Sequence, residues 1–375
     1  MTTKTDSRFV ALDVFRGLTI CLMIVVNTPG NYYKVFSPLD HAQWNGCTPT
    51  DMVFPSFLFV VGTAISFVIS RWQTETTGKV MFKILKRTFI IFLIGYLLMY
   101  PYAAMMKPQY HSFLIPFSQT RLFGVLQRIA LSYCVASTMF YFLKPRTIAI
   151  ICVAILIIYW PVMVYFGSGP DPLDIHTNAV VKLDILLWGK GHLWGAEGFP
   201  FDPEGFLSTF PAIVTCVAGC LAGQYIQSNG KTYEGLAKLF MAGFACFFIA
   251  YWWNFSFPIN KKIWTSSFVL HMAGIDCMIL SCVIYLLDFK KINFGVYFFQ
   301  VFGRNPLFIY LLSMLGGLVL LLVQINHAPL SFWIYNNLFI YAGEYLGSLL
   351  FAIVFMLFCW TVGYILDKRK IYIKV

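Results

Sequence analysis

Ten long apolar segments dominate the 375-residue sequence, and each is long enough to cross about 30 Å of hydrocarbon. They lie near residues 9–28, 51–70, 86–104, 122–143, 147–166, 205–226, 236–255, 266–287, 306–323 and 343–366. Charged residues make up only 11% of the chain, whereas a soluble globular domain has about 25%. The sequence therefore predicts an all-α polytopic membrane protein with about ten transmembrane helices. It excludes a soluble enzyme, a disordered chain and a nucleic-acid-binding module.

The distribution of lysine and arginine indicates the orientation in the membrane. With the N-terminus inside, the cytoplasmic pieces hold 17 of these residues and the exterior pieces hold 7. Cytoplasmic loops normally carry this excess. We therefore predict that both termini are cytoplasmic and that the longer loops, 29–50 and 167–204, are exterior. The net charge of +11 reflects the basic loops, so the expected partner is membrane lipid and not nucleic acid.

Charged and polar side chains inside the spans are candidate functional residues, because charge is costly within a membrane. Asp13 and Arg16 are three residues apart on the first helix and can pair, and a purely structural buried pair explains them equally well. Asn27 lies eleven residues, about three turns, beyond Arg16, so the two share one stripe. Asp51 opens the second helix, where it is expected to act as an N-cap.

Further polar residues lie toward the exterior in this topology. Arg121 and Arg128 are seven residues apart and are predicted to share one face of the fourth helix. His271 and Asp276 are five apart on the eighth helix and do not share a face. The exterior group consists of Asn27, His41, Trp44, Asp51, Arg121, Arg128, Asp202, Glu204, His271 and Asp276. These positions predict a polar cavity that opens outward.

The inventory of motifs limits the chemistry. The sequence has no Gly-rich phosphate loop, no Gly-x-Ser-x-Gly motif and no His-x-x-x-His pair, so we expect neither nucleotide hydrolysis nor a metal site. A single histidine acting as a base or a nucleophile stays open.

Several short motifs together resemble one family. They are Leu12-Asp13-Val14-Phe15-Arg16-Gly17-Leu18, Val26-Asn27-Thr28-Pro29-Gly30, His41-Ala42-Gln43-Trp44-Asn45-Gly46, Asp51-Met52-Val53-Phe54-Pro55, Gly124-Val125-Leu126-Gln127-Arg128, Asp202-Pro203-Glu204-Gly205 and Asn260-Lys261-Lys262-Ile263-Trp264-Thr265. In this order they resemble the heparan-alpha-glucosaminide N-acetyltransferase family of the transmembrane acyltransferase superfamily, over almost the whole chain. The resemblance predicts one transmembrane acyltransferase domain over 1–375. Without the large N-terminal extension of the animal enzyme, we expect a compact bacterial member in the inner (cytoplasmic) membrane.

The resemblance implies an enzyme that transfers an acetyl group from cytosolic acetyl-CoA to the amino group of a glucosamine-type sugar. The acceptor would lie on the exterior side, periplasmic or lumenal. The family's catalytic histidine corresponds to His41, and the asparagine next to it corresponds to Asn27. The family also suggests a homodimer, and it leaves the sugar or glycan fragment that this chain accepts unspecified.

Residue chemistry agrees with these roles. An imidazole can accept a proton or an acyl group, Asn27 can donate to an oxyanion, and Asp51 can orient His41. Arg16, with Asp13 beside it, suits CoA phosphates, while Arg128 suits either CoA or the sugar. The candidate sugar ligands are Trp44, Asn45, Asp202, Glu204 and Asp276.

Two alternatives stay open at this point. Either His41 becomes acetylated, or it acts as a general base in a ternary complex.

The alternative class of protein is a transporter of amino sugars or glycan fragments, because carriers also place polar residues within spans.

Overall fold

A computed structural model describes residues 9–105, 115–195, 197–230 and 232–373, and these residues are nearly all helical. The helices are α1 (Val10–Asn27), α2 (Pro49–Trp72), α3 (Thr77–Met105), α4 (Val125–Phe142), α5 (Pro145–Phe166), α6 (Ala179–Trp188), α7 (Phe206–Asn229), α8 (Tyr233–Trp253), α9 (Ser266–Ile284), α10 (Val296–Arg304), α11 (Pro306–Leu322), α12 (Leu330–Ile334) and α13 (Glu344–Lys368). A short antiparallel hairpin pairs β1 (Gln324–Ile325) with β2 (Ala328–Pro329). Of the lysines and arginines counted for the orientation, Lys4, Arg8, Lys107, Lys231 and Lys374 lie outside the described ranges.

Each of the ten predicted spans falls on a helix, namely α1 to α5, α7 to α9, α11 and α13. Within the described ranges, eight helices are long and apolar enough to cross a membrane, or nine if α10 and α11 form one bent span. The helix α4 is not among them, because Gln127 and Arg128 lower the mean hydropathy of its 18 residues. The all-α polytopic fold is confirmed.

The chain bends sharply between α10 and α11, whose axes differ by 84°. Asn305 separates them, and α11 begins with Pro306. Proline disfavours a helical conformation in the residue before it, and Asn305 accordingly has φ −126° and ψ 52°. The Asn305-Pro306 sequence therefore accounts for the break between the two helices.

The described residues form two compact units. Of the described residues, the first unit draws on those within 9–40, 229–240 and 277–373, and the second on those within 41–228 and 241–276, so that α8 and α9 each contribute to both. Inside each unit, glycines allow helices to approach closely. A Cβ on Gly17 of α1 would lie 1.8 Å from the carbonyl oxygen of Phe299 in α10. A Cβ on Gly62 of α2 would lie 1.8 Å from that of Cys216 in α7. Small residues serve this purpose in membrane bundles.

Candidate active site

His41 and Asp51 form a close pair at the start of α2. The Nδ1 atom of His41 lies 2.6 Å from Oδ1 of Asp51. The imidazole is 49% exposed, whereas the carboxylate is only 3% exposed. A buried carboxylate at this distance fixes the ring orientation and calls for a proton on Nδ1. The lone pair of a neutral imidazole then resides on Nε2.

The start of α2 holds the Asp51 carboxylate in place. Thr48 is the N-cap and forms a capping box with Asp51, so the prediction that Asp51 itself is the N-cap is wrong; it occupies the third helical position. Its Oδ2 atom accepts hydrogen bonds from the Ala42 N–H (2.9 Å) and from the N–H and hydroxyl of Thr48 (both 3.1 Å). These donors leave Oδ1 to face His41.

The segment after His41 is hydrogen-bonded to the loop between α8 and α9. The N–H of Gly46 donates to the carbonyl of Ile259 at 2.8 Å. The amide of Asn260 donates to Oδ1 of Asn45 at 3.1 Å. Gly46 has a φ of +114°, a conformation that side chains other than glycine rarely adopt. This connection brings residues of the 259–262 loop next to His41.

This connection places Lys261 next to His41 and Asp51. Its ammonium nitrogen lies 3.2 Å from Nδ1 of His41 and 3.3 Å from Oδ1 of Asp51. Its side chain is 17% exposed. Burial lowers the pKa of Lys261, and the nearby carboxylates of Asp51 and Glu204 oppose that shift. The site is therefore a histidine, a carboxylate and a lysine in mutual contact.

A second charged group in the same unit joins Arg121 to two carboxylates. Arg121 binds Asp202 through two hydrogen bonds of 2.8 and 2.6 Å and Glu204 through one of 2.5 Å. Its guanidinium also stacks on the Trp194 ring, 4.6 Å from the centroid. The attraction of Asp202 and Glu204 outweighs burial and raises the pKa of Arg121. Both predicted sugar ligands are thus already engaged with an arginine.

The position of Arg121 corrects a sequence prediction. Arg121 precedes α4, which begins at Val125 after an extended Gly124, so it does not share a helical face with Arg128. Arg128 is fully buried in α4 and donates to the Gly205 carbonyl (3.1 Å) and the Ser208 hydroxyl. Its guanidinium lies 4.9 Å from the centroid of the Trp264 ring. Both arginines therefore contact the 202–208 segment, Arg121 from the loop before α4 and Arg128 from α4 itself.

Other predicted ligands in this unit lie in distinct surroundings. Trp44 is partly buried, and its ring packs edge-on against Phe201 with centroids 5.9 Å apart. Asp276 is fully buried in α9 and accepts a hydrogen bond of 2.5 Å from the Ser56 hydroxyl. Asn45 is exposed and holds Asn260 as described above.

The remaining predicted site residues belong to the first unit. The predicted pairing of Asp13 with Arg16 occurs, with 3.5 Å between Oδ1 and Nη1. Arg16 also donates to the carbonyl of Gly303 at 3.2 Å. Asn27 is the last residue of α1, and its backbone carbonyl accepts from the Tyr32 hydroxyl at 3.1 Å. Arg16 is thus held at the contact between α1 and α10.

The sequence predictions missed two residues. Lys261 lies in one of the motifs that resemble the family, but the topology argument treated it only as an exterior cation. Asp184 of α6 is buried and accepts from the Phe206 N–H at 3.0 Å, and burial raises its pKa to about 7. The only acidic residue of Ala179–Trp188, a decapeptide that is apolar apart from Lys182 and Asp184, is the signal that could have found it.

The fold and the site define a polytopic all-α membrane protein with a half-exposed histidine held by a buried aspartate. The family described as heparan-alpha-glucosaminide N-acetyltransferase, catalytic, matches residues 8–251. The heparan-alpha-glucosaminide N-acetyltransferase of Mus musculus is 27% identical over 366 aligned residues, which cover 82% of this chain and 53% of the relative. The human protein of the same name is 26% identical over 357 residues, covering 81% and 52%.

The chain therefore belongs to the heparan-alpha-glucosaminide N-acetyltransferase family, as its motifs predicted. It spans about half the length of the curated relatives that it matches. The family match contains His41, Asp51, Arg121, Arg128, Asp202 and Glu204, and it ends before Lys261.

Proposed function

We propose that this protein is a transmembrane N-acetyltransferase that moves an acetyl group from acetyl-CoA to the amino group of a glucosamine-type sugar. Membership of the family supports the reaction class, and the names of both relatives specify N-acetyl transfer to a glucosaminide. The observation that carries the proposal is the 2.6 Å contact between His41 and Asp51. It provides an oriented imidazole in a partly exposed position, which acyl transfer to an amine requires.

The geometry supports a direct transfer in which His41 is the general base. Asp51 accepts a hydrogen bond from the Nδ1–H of His41, so the lone pair lies on Nε2, which takes a proton from the sugar amine as the amine nitrogen attacks the thioester carbonyl. The C–N bond forms, the C–S bond breaks, and the CoA thiolate leaves. The imidazolium then returns its proton to the thiolate, which regenerates His41.

An acyl-enzyme route uses the same nitrogen. Nε2 attacks the thioester, the C–S bond breaks, and the CoA thiolate takes a proton from solvent. The acetyl-imidazolium then passes its acetyl group to the amine, which releases a proton to solvent, and neutral His41 is regenerated. Both routes need a neutral His41 with its Nδ1 proton bound by Asp51, so the geometry suits both. Retention of label on His41 from radiolabelled acetyl-CoA without acceptor would identify the second route.

The two substrates are proposed to reach the protein from opposite sides of the membrane. In the predicted orientation, acetyl-CoA arrives from the cytoplasm, and Arg16 contributes a guanidinium for its phosphates while Asp13 orients that guanidinium. Asn27 is proposed to stabilise the oxyanion, a role that rests on the family resemblance and on the chemistry of an amide donor. Arg128 is proposed to bind either CoA or the sugar.

The sugar is proposed to bind at the exterior loops of the second unit. Trp44 offers an aromatic face to the sugar ring, and Asn45 offers an exposed amide beside it. Asp202 and Glu204 are proposed to recognise the ammonium or hydroxyl groups while bound to Arg121. Asp276 is fully buried beside Ser56, and its contribution to sugar binding is proposed to act through this contact between α9 and α2.

Replacement of His41 tests the proposed function. We expect His41→Ala to lower the rate of acetyl transfer to glucosamine by at least about 100-fold, because a positioned base or nucleophile contributes that much. Binding of acetyl-CoA should persist, since the nucleotide and pantetheine supply most contacts. His176→Ala is the matched control, because His176 also lies in an exterior loop and packs on Phe199. Near-normal turnover by folded His41→Ala would refute the assignment.

A further inference from the structure

Three polar atoms from two distant parts of the chain lie within hydrogen-bond distance of one another. The distances are 2.6 Å from His41 Nδ1 to Asp51 Oδ1, 3.2 Å from Lys261 Nζ to His41 Nδ1, and 3.3 Å from Lys261 Nζ to Asp51 Oδ1. His41 and Lys261 are 220 residues apart in sequence. One carboxylate oxygen thus faces both an imidazole nitrogen and an ammonium group.

The distances determine where the protons lie. A separation of 2.6 Å between Nδ1 and Oδ1 requires a proton between them, since two lone pairs would repel. Asp51 is a carboxylate held by three donors on Oδ2, so the proton belongs to Nδ1. The ammonium of Lys261 donates to the same Oδ1. Its contact with Nδ1 is therefore a close approach of a cation to the ring and not a hydrogen bond to nitrogen.

The charges around His41 then oppose one another. The carboxylate of Asp51 favours a protonated, cationic imidazole, whereas the ammonium of Lys261 disfavours it. Glu204 acts on Lys261 from the 202–205 segment. Cys47, in the turn before α2, adds no charge, because burial and Asp51 raise its pKa to about 12. Lys261 is thus the cation that balances Asp51 at the ring.

We propose that Lys261 is a positioning residue for His41 while Asp51 holds the ring. Its ammonium group shares Oδ1 of Asp51 with the imidazole and places beside the ring a positive charge that disfavours the imidazolium form. The inference deepens the proposed function, and both routes of transfer depend on it equally, because each needs a lone pair on Nε2.

Four variants separate charge from hydrogen bonding. Lys261→Gln removes the charge but keeps a donor for Asp51, and Lys261→Met removes both. Lys261→Arg keeps the charge. Lys262→Gln is the matched control, because this adjacent lysine pairs with Glu197 at 2.6 Å. Thermal unfolding in detergent establishes that each variant is folded, and Gln and Met provide two independent neutral side chains.

The first measurement needs no turnover. Diethyl pyrocarbonate reacts with unprotonated imidazole, so the rate of modification of His41, followed by mass spectrometry across pH, reports its protonation. Removing a cation beside the ring should favour the imidazolium form and move the midpoint of modification to higher pH, so that modification below the midpoint becomes about tenfold slower. We expect this in Lys261→Gln and Lys261→Met, and unchanged midpoints in Lys261→Arg and Lys262→Gln. An unchanged midpoint in folded Lys261→Gln would overturn the proposal.

The second measurement connects Lys261 to the reaction. The acidic limb of kcat/KM for acetyl transfer should move to higher pH in Lys261→Gln by the same amount as the modification midpoint. If the midpoint moves but neither wild type nor Lys261→Arg transfers acetyl groups, the proposed function fails and the role of Lys261 stands. If the midpoint stays while wild type turns over, the role of Lys261 fails alone.

Discussion

Replacing Asp51 with asparagine tests how the carboxylate controls His41. The carboxylate accepts three hydrogen bonds on Oδ2 and faces His41 and Lys261 with Oδ1. An amide has one acceptor oxygen and one donor nitrogen. Its oxygen must take the Oδ2 side, because an NH₂ group there would face the Ala42 and Thr48 donors. Its NH₂ group then points at His41.

This orientation has a defined chemical consequence. An amide donor facing Nδ1 requires a lone pair on Nδ1, so the imidazole proton moves to Nε2. The nitrogen needed for transfer then carries a proton and cannot act as a base or a nucleophile. In serine proteases the equivalent change of tautomer lowers kcat by about 10⁴. Because the His41 imidazole is 49% exposed and can reorient more easily, we expect a loss of about 10²–10⁴ in kcat for Asp51→Asn.

The fold should survive the substitution. The Ala42 and Thr48 donors keep an acceptor, so the start of α2 is retained. Lys261 loses the charged partner of its 3.3 Å hydrogen bond, which should cost about 1–3 kcal/mol of unfolding free energy. The melting temperature in detergent should therefore fall modestly, and binding of acetyl-CoA should stay within about threefold of wild type.

The assay is transfer of radiolabelled acetyl groups from acetyl-CoA to glucosamine by purified protein, with kcat and KM measured separately. Glu197→Gln is the control, since it replaces a paired loop carboxylate whose partner is Lys262. A folded Asp51→Asn protein with kcat within about threefold of wild type would refute the tautomer argument, because that argument requires a loss of at least about 100-fold.

Two further predictions concern groups away from the His41 pair. Arg16→Ala should weaken acetyl-CoA binding by about tenfold or more, the value of a charged hydrogen bond to phosphate, in equilibrium binding to purified protein; unchanged affinity would leave Arg16 as the structural partner of Asp13. Burial raises the pKa of Asp184 to about 7, above its unfolded value, so the folded state binds more protons and its stability falls as pH rises from about 4 to 7. Asp184→Asn should therefore unfold at a higher temperature than wild type at pH 8 and show no such advantage at pH 4, and equal melting at both pH values would contradict this.

The membrane-spanning helices could be predicted from the sequence because few backbone structures are stable within a membrane. An apolar run of about 20 residues must satisfy its backbone within itself, so its position follows from hydropathy alone. Details at helix ends could not be read in this way. Gly124 delays the start of α4 and leaves Arg121 outside it, and Thr48 displaces Asp51 from the N-cap to the third helical position.

The site was only partly predictable, because its contacts join distant segments. His41 and Asp51 are ten residues apart and lie in two neighbouring motifs of the family, so the sequence could predict that Asp51 orients His41. Lys261 is 220 residues from His41 and reaches it through backbone pairing of Gly46 with Ile259. Such pairing leaves no periodic signal in the sequence. Lysines are common in the loops between membrane spans, so the charge of Lys261 alone did not indicate a functional role.

The contacts that build the start of α2 also orient the imidazole. Asp51 completes the capping box with Thr48 through one side of its carboxylate and holds His41 through the other. The position of the imidazole is therefore tied to a transmembrane helix and not to a loose loop, although His41 itself is half exposed. A rigid helix end fixes a reactive group more accurately than a loop does. In the proposed reaction, two substrates approach from opposite sides of the membrane, and an imidazole anchored to a span would keep a constant depth while either substrate binds or leaves.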